Sequence, residues 1–524
     1  MTNIKLLANL PFKVKWLLVL LAGVSNTLAF APFSIWLIAF ITPVVFLLFI
    51  EQASPKQAAW LGFAYGIGWF GAGISWVHVS LDLYGGLPLI GSLFLMLLLV
   101  SYLALFPALF SYILQRFISQ PQWRILAIPT LWLCTEYLRG TLLTGFPWLT
   151  LGYSQLKGPF SGIAPIMGEV AISYFILLCS ALIVAFVTQP HYRKNISGLL
   201  VSLITITIVS SQLSWTKNTE EKANIVLVQG NIKQELRWAP EQEWPTMLKY
   251  LDLTRPYYSN ADLIIWPEAA IPQLEPLAQD FLDSLDKSLI FNNTALVTGI
   301  TDYQRFPKAI YNNLVVVGKK FSDDEKQSYY YGHGNRYSKH HLLPIGEFVP
   351  FEDWLRNLAP IFDLPMSSFT RGDYQQPSLV ANGYQLTPAI CFEVAFSSQV
   401  LANFKDDTDF LLTVSNDAWF GQSHGPHQHL EIAQMRALEL GRPFLRATNT
   451  GITAVINAKG EVIKQLPQFK EGVLTTEVSL VKGMTPFARY GHTPIIVLVI
   501  AGIFLLIIQY ITKNSKRIAK RSSC

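Results

Sequence analysis

The chain has 524 residues, 51% of them hydrophobic and only 14% charged, against about 25% charged in an ordinary soluble domain. That excludes a typical soluble protein, and 13% aromatic residues exclude a disordered one. The net charge of +5 is unevenly placed: residues 1–212 carry ten Lys/Arg and four Asp/Glu, residues 213–483 carry 24 and 31, and residues 484–524 carry six and none.

Spanning a bilayer takes about 20 mostly apolar residues. Seven stretches before residue 213 qualify, roughly Val14–Phe30, Ser34–Ile50, Ala58–Val77, Leu87–Tyr112, Trp123–Leu138, Ile163–Val187 and Ile196–Ser214. An eighth runs about Thr493–Ile511. A cleaved signal peptide is the rival reading of the first stretch, but no clear cleavage site precedes the second. Lys and Arg in short loops set orientation. With the amino terminus inside, thirteen Lys/Arg fall in inside segments and three outside, namely Arg139, Lys157 and Arg489. The expectation is a seven-helix transmembrane domain over residues 1–214, an extracytoplasmic domain over 220–483, an eighth helix over 490–512 and a basic cytoplasmic tail over 513–524. Both termini are then cytoplasmic. The basic excess lies at membrane edges and is no sign of nucleic-acid binding.

The middle segment alternates short β-branched runs with amphipathic stretches. Candidate strands are Asn224–Gln229, Asp262–Trp266, Ala295–Ile300, Asn313–Val317, Tyr384–Ile390, Phe410–Ser415 and Thr453–Asn457. Candidate helices include Trp244–Tyr258, Leu277–Ser288, Phe396–Phe404 and His429–Leu440. That alternation points to an α/β domain. Val228-Gln229-Gly230-Asn231-Ile232 lacks the dinucleotide-binding spacing.

Three reactive side chains stand beside these strands. Glu268 follows Leu263-Ile264-Ile265-Trp266-Pro267, Cys391 follows Leu386-Thr387-Pro388-Ala389-Ile390, and Lys339 lies in a strand-flanking loop. Ligands gather at the carboxyl ends of strands in α/β sheets, so the three can meet. A thiolate is a nucleophile, Glu268 a candidate base for its proton, and Lys339 a candidate holder of an oxyanion. Phe392–Phe396 reads as a helix start whose N–H groups would favour the thiolate. The chemistry is acyl transfer through a thioester. Singly, each residue has a plainer explanation: a loop carboxylate, a solvated lysine, a buried small hydrophobe. Cys134 and Cys179 sit in expected spans and Cys524 ends the chain, so Cys391 has no obvious disulfide partner. His424, His427 and His429 cluster, but no structural-zinc spacing accompanies them.

Taken together, Glu268, Lys339 and Cys391 resemble the Glu–Lys–Cys triad of the nitrilase superfamily. Ile265-Trp266-Pro267-Glu268, Tyr337-Ser338-Lys339-His340-His341-Leu342, Pro344-Ile345-Gly346-Glu347, Ile390-Cys391-Phe392-Glu393 and Asn416-Asp417-Ala418-Trp419-Phe420-Gly421 resemble its blocks. The resemblance implies an αββα sandwich over about residues 223–480, inserted between spans seven and eight. With the membrane segments, Gly145-Phe146-Pro147-Trp148, Gly152-Tyr153-Ser154-Gln155 and Met435-Arg436-Ala437-Leu438-Glu439-Leu440-Gly441-Arg442-Pro443, the whole chain resembles the apolipoprotein N-acyltransferase family.

That resemblance implies transfer of a fatty acyl chain from a phospholipid to the α-amine of an N-terminal diacylglyceryl-cysteine. This is the last step of lipoprotein maturation in the bacterial inner membrane, with the catalytic domain on the periplasmic face. It also implies a ping-pong course in which Cys391 carries the acyl group, Glu268 moves the proton and Lys339 stabilises the oxyanion. Supporting roles fall to Glu347, Glu393, Phe392, Trp238 and Asn312, and substrate contacts to Trp148 and Trp419. Many members have Tyr where this chain has Phe392, so a phenolic hydroxyl is lacking there. No cofactor and no metal is expected, and a monomer is. Ala359–Met366 is a candidate apolar lid that excludes water. Two other functions fit parts of the pattern: a membrane-anchored amidase using water as acceptor, and a non-catalytic transporter or scaffold. Few intramembrane charges, chiefly Glu136, Arg139 and Glu169, speak for transport.

Overall fold

The computed structural model describes residues 9–84, 87–236, 239–321, 328–344, 346–348 and 368–522. Trp238 and the candidate lid Ala359–Met366 lie outside the described residues. The chain divides into two compact units. One runs through His78, resumes over Pro88–Leu213 and takes in Tyr490 onward; the other comprises Val79–Leu87 and Ser214–Arg489.

The first unit is helical. Its long helices are α1 (Phe12–Asn26), α2 (Ile38–Ile50), α3 (Pro55–Gly73), α4 (Leu89–Phe117), α5 (Pro121–Thr141), α6 (Ala164–Thr188), α7 (Arg193–Ser211) and, after the second unit, a last helix Thr493–Ser522. Each of the eight expected stretches falls on one of these. Among the described residues, five segments are long and apolar enough to cross a membrane: Phe12–Ala29, Leu89–Phe117, Ser161–Thr188, Pro190–Ser211 and Thr493–Ser515. The other three fall short for physical reasons. α2 has only 13 residues. α5 carries Arg124, Glu136 and Arg139. α3 is rich in glycine, which adds little hydropathy, and its glycines serve packing. A Cβ on Gly66 would lie 2.6 Å from Ala104 Cα of α4, and one on Gly68 2.1 Å from Leu20 O of α1. Small residues let apolar helices approach backbone to backbone where no hydrophobic effect drives association. Large apolar side chains such as Phe94, Leu97, Ile204, Ile208 and Phe504 point outward and are exposed, as a lipid-facing surface requires and a water-facing one does not tolerate in such density.

The second unit is built on two sheets. The first has the order β13-β1-β2-β4-β5-β6, with β3 also on β4. Its strands are β1 (Lys217–Gln229), β2 (Leu263–Ile265), β3 (Ile271–Leu274), β4 (Ala295–Gln304), β5 (Ala309–Gly318), β6 (Arg336–Ser338) and β13 (Gly472–Lys482). The second sheet runs β12-β11-β10-β9-β8-β7, from β7 (Leu379–Ala381), β8 (Tyr384–Ile390), β9 (Phe410–Ser415), β10 (Phe444–Thr448), β11 (Ala454–Ile456) and β12 (Val462–Gln465). Period-two alternation sorts the side chains into layers. Ile225, Leu227, Ile265 and Val297 of the first sheet meet Leu386, Phe410, Leu412 and Val414 of the second in one core. The alternate residues Val226, Val228, Ile264 and Leu296 face away and pack on Met247 and Tyr250 of α8 (Pro240–Thr254) and on Leu282, Leu285 and Leu289 of α9 (Gln279–Phe291). The other sheet carries α10 (Ser397–Asn403) and α11 (Gly425–Leu440). This is the αββα sandwich. β1 and β2 are parallel, as are β2 and β4, and as are β8, β9 and β10. The carboxyl ends of β2, β8, β9 and β10 therefore point the same way within each sheet, and the reactive residues follow them.

Candidate active site

Glu268 leaves β2 after Trp266, whose N–H still donates to Val297 O of β4 at 2.9 Å. The turn comes so close to β4 that a Cβ on Gly299 would lie 2.3 Å from Ala269 N and 2.8 Å from Glu268 Cα. Only glycine fits there. Both Glu268 oxygens are held: Asn312 Nδ2 of β5 donates to Oε1 at 2.8 Å, and the Asn416 N–H donates to Oε2 at 3.0 Å. An aimed carboxylate results, anchored to both sheets.

Lys339 follows β6 directly and is 2% exposed. Its N–H donates to Asn312 O at 2.8 Å. Its Nζ lies 2.8 Å from Glu347 Oε2, 2.9 Å from Glu347 Oε1 and 3.7 Å from Glu268 Oε1. Burial alone would lower the ammonium's pKa, but the Glu347 and Glu268 charges overrule it and raise it. Lys339 thus stays charged inside the protein. Asn312 also donates to Glu347 Oε1 at 3.1 Å, so one amide fixes the spacing of two carboxylates around one ammonium.

Cys391 follows β8 with φ +54°, a left-handed conformation that costs a non-glycine residue about 1–3 kcal/mol and clusters at functional sites. Its thiol is pushed up to about 12, first by burial and then by the Glu268 charge, with the Lys339 charge opposing. This corrects the expected helix start. Cys391–Ala395 is a single five-residue 3-10 turn, and the α-helix begins only at Ser397. A turn that short lacks the aligned peptide dipoles of an α-helix, so burial wins and the resting sulfur is a thiol.

Glu393 locks the turn. Its Oε1 accepts from the N–H groups of His340 and His341 at 2.8 and 2.9 Å and from Gln399 Nε2 at 2.8 Å. Its Oε2 accepts from the Ile390 N–H at 2.7 Å and from Tyr337 Oη at 3.1 Å. One carboxylate therefore ties the cysteine turn to the lysine loop across the two sheets. Burial raises its pKa, while the backbone donors of His341 and Ile390 offset that. Phe392 is buried beside Phe396 (ring centroids 5.2 Å) and His341 (6.0 Å); a packing role explains it without a hydroxyl.

Glu268, Lys339, Glu347 and Asn312 thus meet in one cluster that acts electrostatically on Cys391, with Glu393 beneath. Trp419 is partly exposed in the same unit; its carbonyl accepts from Ser80 Oγ at 2.6 Å. Residues Val79–Leu87, expected as part of the membrane domain, group with this unit. Trp148 belongs to the helical unit. It is 1% exposed, with its ring 5.5 Å from Trp76. The Arg139 guanidinium fixes its loop, donating to Phe146 O at 2.6 Å and Trp148 O at 2.7 Å.

Sequence reasoning assigned no role to Ser415, Asp417, His429 or Arg446. The first three were noticed only within motifs. Ser415 Oγ is 3.2 Å from Cys391 Sγ, and the others stand behind it. Among the described residues no three His, Cys, Asp or Glu side chains converge as metal ligands.

Residues 22–182 match the family model of the apolipoprotein N-acyltransferase N-terminal domain, and residues 224–483 that of carbon-nitrogen hydrolase. The chain is 47% identical to the apolipoprotein N-acyltransferase of Photobacterium profundum, covering 91% of this chain and 92% of that one. It is 49% identical to that of Vibrio cholerae (90% and 93%) and 46% to that of Shewanella oneidensis (99% and 100%). Among solved structures it is similar to a carbon-nitrogen hydrolase superfamily protein of Xanthomonas campestris (19% identity, 49% of this chain, 91% of that chain, TM-score 0.35). It is also similar to Saccharomyces cerevisiae Nit3 of the nitrilase superfamily (15%, 51%, 93%, 0.36).

Proposed function

The chain belongs to the apolipoprotein N-acyltransferase family, and from that premise we propose how its residues carry the reaction. The protein is a membrane acyltransferase of lipoprotein maturation, with a lipid acyl donor and a lipoprotein acceptor. The reading of the site is a ping-pong transfer through a thioester on Cys391.

In the first half, the donor ester carbonyl lies over Cys391 Sγ. Glu268 takes the thiol proton as sulfur attacks, so the thiolate appears only as it is used. The oxyanion of the tetrahedral intermediate forms beside Lys339. Collapse expels the lysophospholipid alkoxide, which receives the proton from Glu268. In the second half, the α-amine of the diacylglyceryl-cysteine attacks the thioester. Glu268 removes the amine's proton, and the sulfur leaves and recovers it. Each half moves one proton onto Glu268 and off again, so the enzyme ends as it began. Glu347 keeps Lys339 ionised and aimed throughout. Trp419 is proposed as a substrate contact, and Trp148, which is 1% exposed, as one only once its loop opens.

One observation carries this reading: a strained, partly buried thiol coupled to a carboxylate and an ammonium that lie 3.7 Å apart. For the membrane arrangement, the proposal is eight spans with the α/β unit inserted between the seventh and eighth and facing the periplasm. Donor and acceptor then both present their reactive groups at the outer leaflet and need no extraction from it. The alternative, an amidase using water, shares the triad.

The test is a product assay. Purified protein in detergent with phospholipid and a diacylglyceryl-cysteine peptide should yield N-acylated peptide and lysophospholipid in equal amounts, with little free fatty acid. Free fatty acid as the main product, with the peptide unchanged, would establish water as acceptor and overturn the transferase course.

A further inference from the structure

The mechanism above uses Glu268 and Lys339. A second set of buried groups also reaches the sulfur. Ser415 ends β9, Asp417 follows it in a short turn, His429 lies on α11 and Arg446 on β10. All four are 1% exposed or less. Ser415 Oγ lies 3.2 Å from Cys391 Sγ and 2.6 Å from Asp417 Oδ1. Arg446 Nη2 donates to Asp417 Oδ2 at 2.5 Å and lies 3.1 Å from His429 Nδ1. His429 Nε2 lies 3.1 Å from the Cys391 carbonyl oxygen.

The charges in this set fix the state of Asp417. Burial would raise the Asp417 pKa, but Arg446 and His429 overrule it and hold the carboxyl well below the usual range. Asp417 is therefore an ionised acceptor. Burial, and then the Arg446 charge, push the His429 pKa down, so its ring carries one proton. His429 Nδ1 also lies 3.0 Å from Asp417 Oδ1, so the ring bridges Asp417 and the Cys391 carbonyl and holds the two in place. Ser415 has one hydroxyl hydrogen and two neighbours, a carboxylate and a sulfur. At rest the carboxylate takes the hydrogen, and the thiol S–H donates to Ser415 Oγ. When the sulfur becomes an anion, rotation about the Ser415 C–O bond points the same hydrogen at sulfur.

We propose that Ser415 is a further catalytic group of this site: it accepts from the resting Cys391 thiol and donates to the thiolate whenever sulfur attacks or leaves, with Asp417, His429 and Arg446 as its positioning set. No proton passes through Ser415; its O–H bond stays intact, and Glu268 remains the base. His429 fixes the strained Cys391 backbone through its carbonyl. Arg446 supplies the charge that keeps Asp417 ionised while the serine hydrogen is turned away. This inference rests on the thioester reading.

The test is the rate of acyl-enzyme formation in the full-length protein, followed by intact mass after mixing with phospholipid. Loss of one charge-assisted hydrogen bond should slow Ser415→Ala about 10- to 100-fold at saturating phospholipid. The half-saturating phospholipid concentration should not change, because Ser415 acts on sulfur and not on donor binding. Ser415→Thr keeps the hydroxyl and should stay within about threefold of the parent. Acylation of Ser415→Ala at the parent rate would overturn the proposal. So would an equal loss in Ser415→Thr, which is what a packing role or misfolding gives. No adduct on the parent chain would sink the thioester reading itself, a separate result.

Discussion

At the scale of single residues, the site keeps its proposed nucleophile protonated at rest. Burial and the Glu268 charge place the Cys391 thiol at about 12, above its ordinary 9.0. The sign of the linkage follows: the folded chain keeps a proton that the unfolded chain gives up, so this group's effect on stability turns unfavourable as pH climbs from about 9 toward about 12. It also governs reactivity, because only the thiolate alkylates. Iodoacetamide labelling of Cys391 in the full-length protein should keep accelerating from about pH 7 to about pH 10; a plateau reached by about pH 8 would contradict the raised thiol. The residues proposed to react were legible in the sequence, because Glu268, Lys339 and Cys391 each stand in a short motif beside a β-branched run. The state of the thiol was not. A helix start seemed to follow Cys391, and no local pattern records that the partly buried sulfur feels the charge of a carboxylate brought from 123 positions away in the chain. Ser415 was hidden for the same reason: its neighbours Asp417, His429 and Arg446 come from three elements and meet only in the fold.

At the scale of elements, the strands that carry the site were the most legible. Tyr384–Ile390 and Phe410–Ser415 form with the expected bounds. β10 (Phe444–Thr448) was not among the expected strands. Arg446 sits at its centre, fully buried and paired with Asp417, and a charge in a five-residue strand looks like a loop until its partner is known. α3 raises the converse difficulty, because it is buried and helical yet not very apolar. Its Gly66 sits against α4 with no room for a side chain. Gly66→Leu overpacks that contact, at a cost of about 1–3 kcal/mol or more, and should lower the melting temperature and yield of the detergent-purified protein. Gly198→Leu on α7, where nothing lies within 4 Å of an added Cβ, should leave both unchanged. Equal behaviour of the two variants would remove the packing argument for α3.

At the scale of the whole molecule, the low charge content is an average over two solvents. Fourteen of the first 212 residues are charged, and 55 of the next 271 are; the first set folds as helices with apolar exteriors, the second as a sandwich with an apolar core. The split was legible in composition alone. The assignment of Val79–Leu87 to the α/β unit was not, because it rests on contacts such as Ser80 to Trp419 and not on composition. The topology makes its own claim. A periplasm-dependent reporter such as alkaline phosphatase should be active when fused at about residue 218 and inactive at the carboxyl terminus; activity at both, or at neither, would mean a different number of spans. The central claim is the covalent one, that the acyl group passes through Cys391. Intact-mass measurement of the full-length protein mixed with phospholipid, without acceptor, addresses it directly. The expected result is a mass gain of one acyl chain, lost on treatment with hydroxylamine and absent in Cys391→Ala. A parent chain that turns over the donor with no such gain, or a Cys391→Ala variant that still carries it, would contradict the account.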